Sequence, residues 1–309
     1  MCPACGSAAS SPLEVVVIEE QSTLYAGNNS NTKRRLRDLA SKAAIEYHMY
    51  QCRQCGLEYA DPMKAPPTEW YDLAYKALNL YPTSRWEFSE ALRHMRPNER
   101  VLEFGCGSGE FLKLCRARDI KAVGLDFAEN AIMFCRAAGL EAYRAQLADC
   151  VPTAKDLHPT QLVAFHVLEH LEAPKAFFQL LSEIANREAK LWISIPSQRR
   201  HTRRFGVTDF LDQPPHHLTR WTESGLREIG KSTGWTLEEL TFEPISLRAA
   251  LWSIATRSSR YLALKQGGKL TRRFYERFMR LCLYPAAAYE LVTLHQDLSG
   301  FSMLARYGR

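Results

Sequence analysis

No run of apolar residues in the chain approaches the ~18–20 that a membrane-spanning helix needs. Met1 is followed at once by Cys2, Pro3, Ala4 and Cys5, without a basic start or an apolar segment. Neither a membrane span nor a secretory leader is expected, and the chain reads as a cytosolic protein with reduced thiols. Internal repeats and low-complexity tracts are also missing. With 46% hydrophobic and 24% charged residues, disorder and collagen-like structure are excluded, and 309 residues exceed one small module. Charge of one sign is scarce overall, with 40 basic against 34 acidic residues and a net +6. It is unevenly spread. Between Ser246 and Glu290, Arg248, Arg257, Arg260, Lys265, Lys269, Arg272, Arg273, Arg277 and Arg280 face only Glu276 and Glu290. Smaller basic clusters lie at Lys33–Arg37 and Arg199–Arg204. Two readings stay open: solvated faces, or surfaces for an acidic partner such as phosphate, nucleotide, nucleic acid or anionic lipid.

In a cytosolic chain, nine cysteines need an explanation other than disulfides. Cys2-Pro3-Ala4-Cys5-Gly6 is answered by Cys52-Arg53-Gln54-Cys55-Gly56. Two Cys-x-x-Cys-Gly units beside β-like runs (Leu13–Ile18 and Glu46–Tyr50) form a zinc-ribbon signature, in which four thiolates close a tetrahedral structural site. A redox pair is the alternative. The 46 residues between the pairs make a long gap, which fits an inserted helix between Asn28 and Ala44. Cys106, Cys115, Cys135, Cys150 and Cys282 sit in apolar or helical contexts and read as ordinary buried thiols.

Residues 1–62 are therefore read as a ribbon and 63–97 as a helical linker. From residue 98 short apolar runs alternate with amphipathic helices. The runs are Val101–Phe104, Ala122–Leu125, Leu162–Phe165, Leu191–Ile195, Leu237–Phe242 and Phe301–Ala305; the helices begin near Gly109, Glu129, Pro174 and Thr222. This alternation predicts an α/β fold with a largely parallel sheet covered on both faces, over residues 98–246 and 295–309. A helical insertion, 247–294, interrupts it before the last strand. Packing over the sheet edge, a homodimer contact and a peripheral membrane face are all compatible with its basic and aromatic residues.

The strongest signal is Val101-Leu102-Glu103-Phe104-Gly105-Cys106-Gly107-Ser108-Gly109-Glu110. Strand, glycine turn and helix start allow a ligand to approach the backbone closely. In a nicotinamide-binding loop, G-x-G-x-x-G, the third glycine would come one residue later. Here Glu110 stands where a pyrophosphate would be repelled, and Glu103 suits a cationic ligand. Asp126, seventeen residues past Gly109, can accept hydrogen bonds from both hydroxyls of a ribose. A positively charged nucleoside without phosphates satisfies these terms, and S-adenosylmethionine (SAM) is one. The pattern Glu103-x-Gly105-x-Gly107-x-Gly109 with Asp126 resembles class I SAM-dependent methyltransferases. That resemblance implies a Rossmann-like seven-stranded sheet whose last strand runs antiparallel. It also implies a cofactor site around Glu103, Gly105, Cys106, Gly107, Gly109, Asp126, Phe127 and His166, with Gln146 and Leu147 near the adenine.

Two histidine segments follow. His166-Val167-Leu168-Glu169-His170 succeeds the Leu162–Phe165 run, at the place which in this family lies beside the methylsulfonium. Relatives that methylate RNA 3′ ends or quinone precursors carry E-x-x-E-H there and bind a divalent metal. His166 in place of the first glutamate argues against Mg²⁺, which prefers oxygen ligands. A loop-orienting role for His166 and His170 stays open. Pro214-Pro215-His216-His217 is placed like the Y-x-E-H loop of sugar C-methyltransferases, which serves as base, although packing of this loop against its helix would also account for it. An attacking hydroxyl must lose a proton, and imidazole is suited to take it. His217 is the first choice as base, then His166 and His216.

The expected function is transfer of a methyl group to a small, anionic acceptor such as a sugar nucleotide or glycan, because ribbon plus methyltransferase resembles bacterial enzymes of sugar and polysaccharide pathways. RNA methylation with the ribbon as docking module is an alternative, and a non-catalytic scaffold with a regulatory SAM pocket is another.

Overall fold

The computed structural model describes residues 1–27, 29–78, 84–145, 151–200, 203, 209–245 and 299–309. Residues 247–294, read from the sequence as a helical insertion, lie with all their basic residues outside the described residues, as do Gln146 and Leu147. By contacts the chain divides into two units. The first comprises Met1–Ile195, Phe210–Thr241 and Leu304–Arg309; the second comprises Pro196–Asp209 and Phe242–Met303. Little of the second is described; within it Ser197 donates its N–H to the Phe301 carbonyl at 2.7 Å and Ser299 Oγ to Ser197 Oγ at 2.6 Å.

The amino-terminal part is built on β1 (Ser10–Val17), α1 (Ile18–Ala26), α2 (Ser30–Ala40), β2 (Glu46–Cys52) and β3 (Glu58–Asp61). In β1 the β-branched run alternates, with Val16 buried while Val15 and Val17 are exposed, as a strand with one covered face requires. Asn29 caps α2 by accepting the Thr32 N–H at 3.0 Å. Both α1 and β3 fall in stretches the sequence left without an assigned element. The antiparallel sheet runs β1-β2-β3-β9, and β9 is only Thr219–Arg220, which is contributed from far down the chain. The core under this sheet joins Val16, Leu36, Tyr47 and Met49 to Trp70 and Ala74 of α3 (Thr68–Leu78) and to Leu218. The amino-terminal sheet thus shares one apolar core with the following helix and with the segment that carries the histidine pair.

The second sheet follows the predicted rhythm through β4 (Arg100–Phe104), α5 (Glu110–Arg116), β5 (Lys121–Asp126), α6 (Glu129–Ala137), β6 (Ala142–Arg144), β7 (Gln161–Phe165), α8 (Pro174–Ile184), β8 (Lys190–Pro196), α9 (Glu223–Ser232), β10 (Thr236–Phe242) and β11 (Ser302–Gly308). Between β6 and β7 lies α7 (Val151–Leu157), and α4 (Trp86–Leu92) precedes β4. Pro174 occupies the first turn of α8, where no N–H is needed, and Phe177, Phe178 and Leu181 form its buried face. Thr222 caps α9 by accepting the Gly225 N–H at 3.0 Å, as expected of its position. Strand order is β10-β11-β8-β7-β4-β5-β6, a mixed sheet whose last strand is antiparallel. β4 pairs in parallel with both β5 and β7. The chain winds outward one way through β5 and β6, then returns to β7 on the other side of β4. That reversal opens a crevice at the carboxyl ends of β4 and β7, where α/β sheets bind ligands.

Candidate functional site

The glycine loop leaves β4 at this crevice. Gly105, Gly107 and Gly109 all have positive φ, at +71°, +52° and +78°. A Cβ on Gly105 would lie 2.5 Å from Val167 Cγ2, and one on Gly109 would lie 2.6 Å from Leu140 Cδ1. Glycine is required at both by conformation and by space. On Gly107 a Cβ would meet nothing within 4 Å, so this part of the loop faces open space.

Two carboxylates converge on the loop. Asp126, at the end of β5, accepts the Gly107 N–H on Oδ2 and the Ala128 N–H on Oδ1, both at 2.9 Å. Burial raises its carboxyl against the lowering by these N–H groups. Glu103 is buried, and its Oε2 has no hydrogen-bond partner among the described residues. Burial, with Cys135 and Asp126 nearby, pushes its carboxyl well above the ordinary range. A buried acid with an orphaned oxygen beside an open glycine turn fits a ligand that brings positive charge and hydrogen-bond donors. Cys106 is buried in the loop, 4.0 Å from Cys135 Sγ, and Phe127 is partly exposed beside Asp126.

His166 follows β7 with φ +54°. Its Nδ1 lies 3.0 Å from Glu169 Oε1 and its Nε2 3.0 Å from Glu87 Oε1 of α4. Burial and Arg85 lower its pKa, but the two carboxylates outweigh them and hold it above the ordinary value. With a carboxylate at 3.0 Å from each ring nitrogen, His166 ties the segment after β7 to α4.

The second histidine segment packs against the first. Leu218 donates its N–H to the Glu169 carbonyl at 2.8 Å, and His170 Nδ1 meets the His216 carbonyl at 2.6 Å. His216 Nδ1 meets the Leu211 carbonyl at 2.8 Å and its Nε2 the Tyr75 hydroxyl at 3.3 Å. His217 Nδ1 lies 3.1 Å from Asp212 Oδ1, and both side chains are nearly fully buried. Burial, and His217 beside it, drive His170 down to about 4; burial and the same neighbours drive His216 well below its ordinary value. Ligand atoms of His170, His216 and His217 lie within 4.8 Å of one another. Yet the His216 and His217 rings are stacked, 17° from parallel with centroids 4.5 Å apart. Imidazole lone pairs lie in the ring planes, and two nearly parallel planes do not meet at an ion ~2.1 Å from each nitrogen. As placed, the His216 and His217 rings do not suit one shared metal ion.

Some residues of the site carried no signal in the sequence. Tyr71 and Tyr75 lie in α3, inside the stretch read only as a helical linker. Tyr71 meets Phe127, His170 and His216 at ring-centroid distances of 6.1, 5.8 and 6.2 Å, and its buried hydroxyl has no partner among the described residues. It connects the Asp126 side of the crevice to the histidines. Glu87 and Asp212 were likewise missed, although an acid between Trp86 and Phe88 and an acid five residues before a histidine are both visible in the sequence.

The cysteines form a separate centre. Cys2 Sγ lies 3.6 Å from Cys55 Sγ, Cys5 Sγ 3.5 Å from Cys52 Sγ, and all four lie within 4.8 Å of one another. The two hairpins repeat one geometry. Cys2 and Cys52 each donate N–H to the carbonyl five residues on (2.9 and 2.8 Å) and accept the N–H of Gly6 or Gly56 (3.0 and 2.9 Å). A tetrahedral ion with ~2.3 Å metal–sulfur bonds separates its sulfurs by about 3.8 Å, and this cluster fits that size. Without a cation, burial pushes the Cys2 thiol up to about 11, the reverse of what a bound metal would impose.

A family model described as a methyltransferase domain matches residues 82–240, more than half of the chain. The chain belongs to this methyltransferase family. No curated protein matches it. Among solved structures it is similar to a SAM-dependent methyltransferase from Archaeoglobus fulgidus (17% identity, 72% of this chain and 91% of that one, TM-score 0.47). It is also similar to the cyclopropane synthase MmaA2 from Mycobacterium tuberculosis (16%, 72% and 83%, 0.44) and to a SAM-dependent methyltransferase from Mesorhizobium loti (16%, 71% and 96%, 0.43). The matched span of this methyltransferase includes the glycine loop, Asp126 and both histidine segments, and leaves out the four cysteines.

Proposed function

We propose that this methyltransferase acts on a small, anionic acceptor of the sugar-nucleotide or glycan type, with His217 as proton acceptor, and that Cys2, Cys5, Cys52 and Cys55 hold a structural zinc ion. The observation that carries the reading is the buried Asp212–His217 pair, packed onto the segment that follows β7. When bound, SAM supplies an electrophilic methyl group on a sulfonium. Glu103, Asp126 and the glycine loop are the residues that would hold it.

Asp212 fixes the His217 tautomer by accepting from Nδ1, which leaves Nε2 to take the acceptor's proton. Trp70, Tyr71 and Tyr75 wall the histidines and keep water from competing. The anionic character of the acceptor rests on the basic clusters, of which the one on α2 is partly spent: Lys33 and Arg37 pair with Glu19, and Arg37 also with Asp38.

The test is incubation with methyl-labelled SAM and a panel of sugar nucleotides and glycans, read by mass spectrometry. One acceptor is expected to gain the label, and His217→Ala to slow transfer about 10²–10⁴-fold. Label on RNA alone, or no transfer to any acceptor by a protein that binds SAM, overturns the reading.

A further inference from the structure

Arg220 is largely buried in β9, where it pairs with Glu58 of β3. Its guanidinium is used on every side. Nε donates to the Asp212 carbonyl at 2.6 Å and lies 3.3 Å from Asp212 Oδ2. Nη1 reaches Glu58 Oε2 at 3.0 Å and Nη2 reaches Glu14 Oε1 of β1 at 2.9 Å. Gln213, next to Asp212, donates to the other Glu14 oxygen at 3.1 Å. Asp212 is thus shared: one oxygen faces Arg220 and the other holds His217. A continuous chain of charge-assisted contacts runs from the cysteine-bearing sheet to the candidate base, Glu14 and Glu58 to Arg220 to Asp212 to His217. The cysteine hairpin joins the same segment by a second route, since Thr222 Oγ1 donates to the Cys55 carbonyl at 2.6 Å.

We propose that Arg220 is a positioning residue for methyl transfer, through which the ribbon sheet fixes the orientation and basicity of His217. The inference rests on the reading of His217 as base. It gives the ribbon a task inside its own chain: holding the acceptor-side loop in place. A planar five-donor fork is the group suited to it, because it meets three carboxylates at once and cannot lose its charge in the protein.

The sign of the effect follows from the charges. His217 is surrounded by Asp212 and Arg220, by Glu169 and His170 of the segment after β7, and by His216, with Glu58 and Glu14 behind Arg220. Loss of the positive charge at Arg220 is expected to move the measured His217 midpoint upward, and loss of the Glu58 charge, with Arg220 in place, to move it downward.

The experiment is an NMR titration of the histidines in the full chain, with the His217 signal assigned by its loss in His217→Gln. SAM calorimetry serves as the check of folding, since Arg220 makes no contact with Glu103 or Asp126. Arg220→Met is expected to move the His217 midpoint up by about half a unit to one unit, and Glu58→Gln to move it down by about half a unit. Arg220→Lys is expected to keep the midpoint and lose transfer rate, because it retains the charge without the fork. Should Arg220→Met fail to bind SAM, Glu58→Gln and Arg220→Lys carry the test. Midpoints unmoved in every variant that binds SAM overturn the proposal. An active His217→Ala enzyme instead overturns the base assignment on which it rests, so the two failures are distinct.

Discussion

Among single residues, Glu103 gives the most direct test of the ligand site. Its orphaned, buried oxygen is an energetic debit in the empty protein that a cationic ligand removes. A hydrogen bond to a charged group contributes about 1.5–3 kcal/mol, so Glu103→Gln is expected to weaken SAM about 10–100-fold by calorimetry. The melting temperature of the ligand-free protein should hold or rise, because a buried acid has been replaced by an amide. Unchanged affinity would remove Glu103 from the site. The histidines make a second residue-scale prediction, with the sign set by linkage. His170 is held at about 4 and His216 well below its ordinary value, so both are depressed in the folded state. Their contribution is present above ~6.5 and lost as pH falls from there toward 4. At roughly 1.4 kcal/mol per unit this is a few kcal/mol for His170. Glu169, lowered to about 2, loses its share only below ~4.5. Thermal melts between pH 7 and pH 4 should therefore fall steeply in the wild type and less in His170→Gln. Equal slopes would show that His170 does not titrate with unfolding. Glu103, Asp126 and the glycines were legible in the sequence because one local turn fixes their spacing. Glu87 and Tyr71 were not, since their roles come from neighbours as distant in sequence as His166 is from Glu87; Asp212 is near His217 in sequence, but which of the loop's polar residues meets the imidazole is set by how the loop folds.

At the scale of elements, the periodic strands and helices of the second sheet were readable, and what escaped was short or borrowed. β6 has three residues and β9 two, too few to show an alternation. β9 is a strand only because β3 offers it an edge. The two cysteine hairpins were readable because each closes on itself within six residues. The proposed zinc site at these hairpins is testable by metal content. Chain purified without chelator is expected to hold about one zinc per molecule. Cys5→Ser should lower that content, and melting should fall by several degrees, at roughly 2–4 °C per kcal/mol for a domain of this size. Zinc content of zero in the freshly purified wild type, with the thiols reduced and the melt unchanged by chelation, would return the cysteines to an ordinary buried cluster.

For the whole molecule, the order of strands decides where chemistry can occur. The reversal between β4 and β7 places Glu103, the glycine loop, Asp126, Phe127 and His166 at the carboxyl ends of β4, β5 and β7. The amino ends should then serve stability alone, and one buried network there allows a clean comparison. Gln161 opens β7, accepts the Trp192 indole N–H at 2.7 Å and donates to Glu99 at 2.9 Å. Trp192 is almost wholly buried, so Gln161→Ala leaves its N–H without a partner, at a cost of about 1–3 kcal/mol. The melt should drop accordingly while SAM affinity stays within about twofold, because the four intervening residues of a rigid strand separate Gln161 from the loop at His166. A variant that keeps its melt but loses SAM would place the ligand at the wrong end of the sheet. The opposite pairing, lower melt with binding intact, is what a crevice fixed by topology requires: the residues that hold the sheet together and the residues that meet the ligand lie at its two ends.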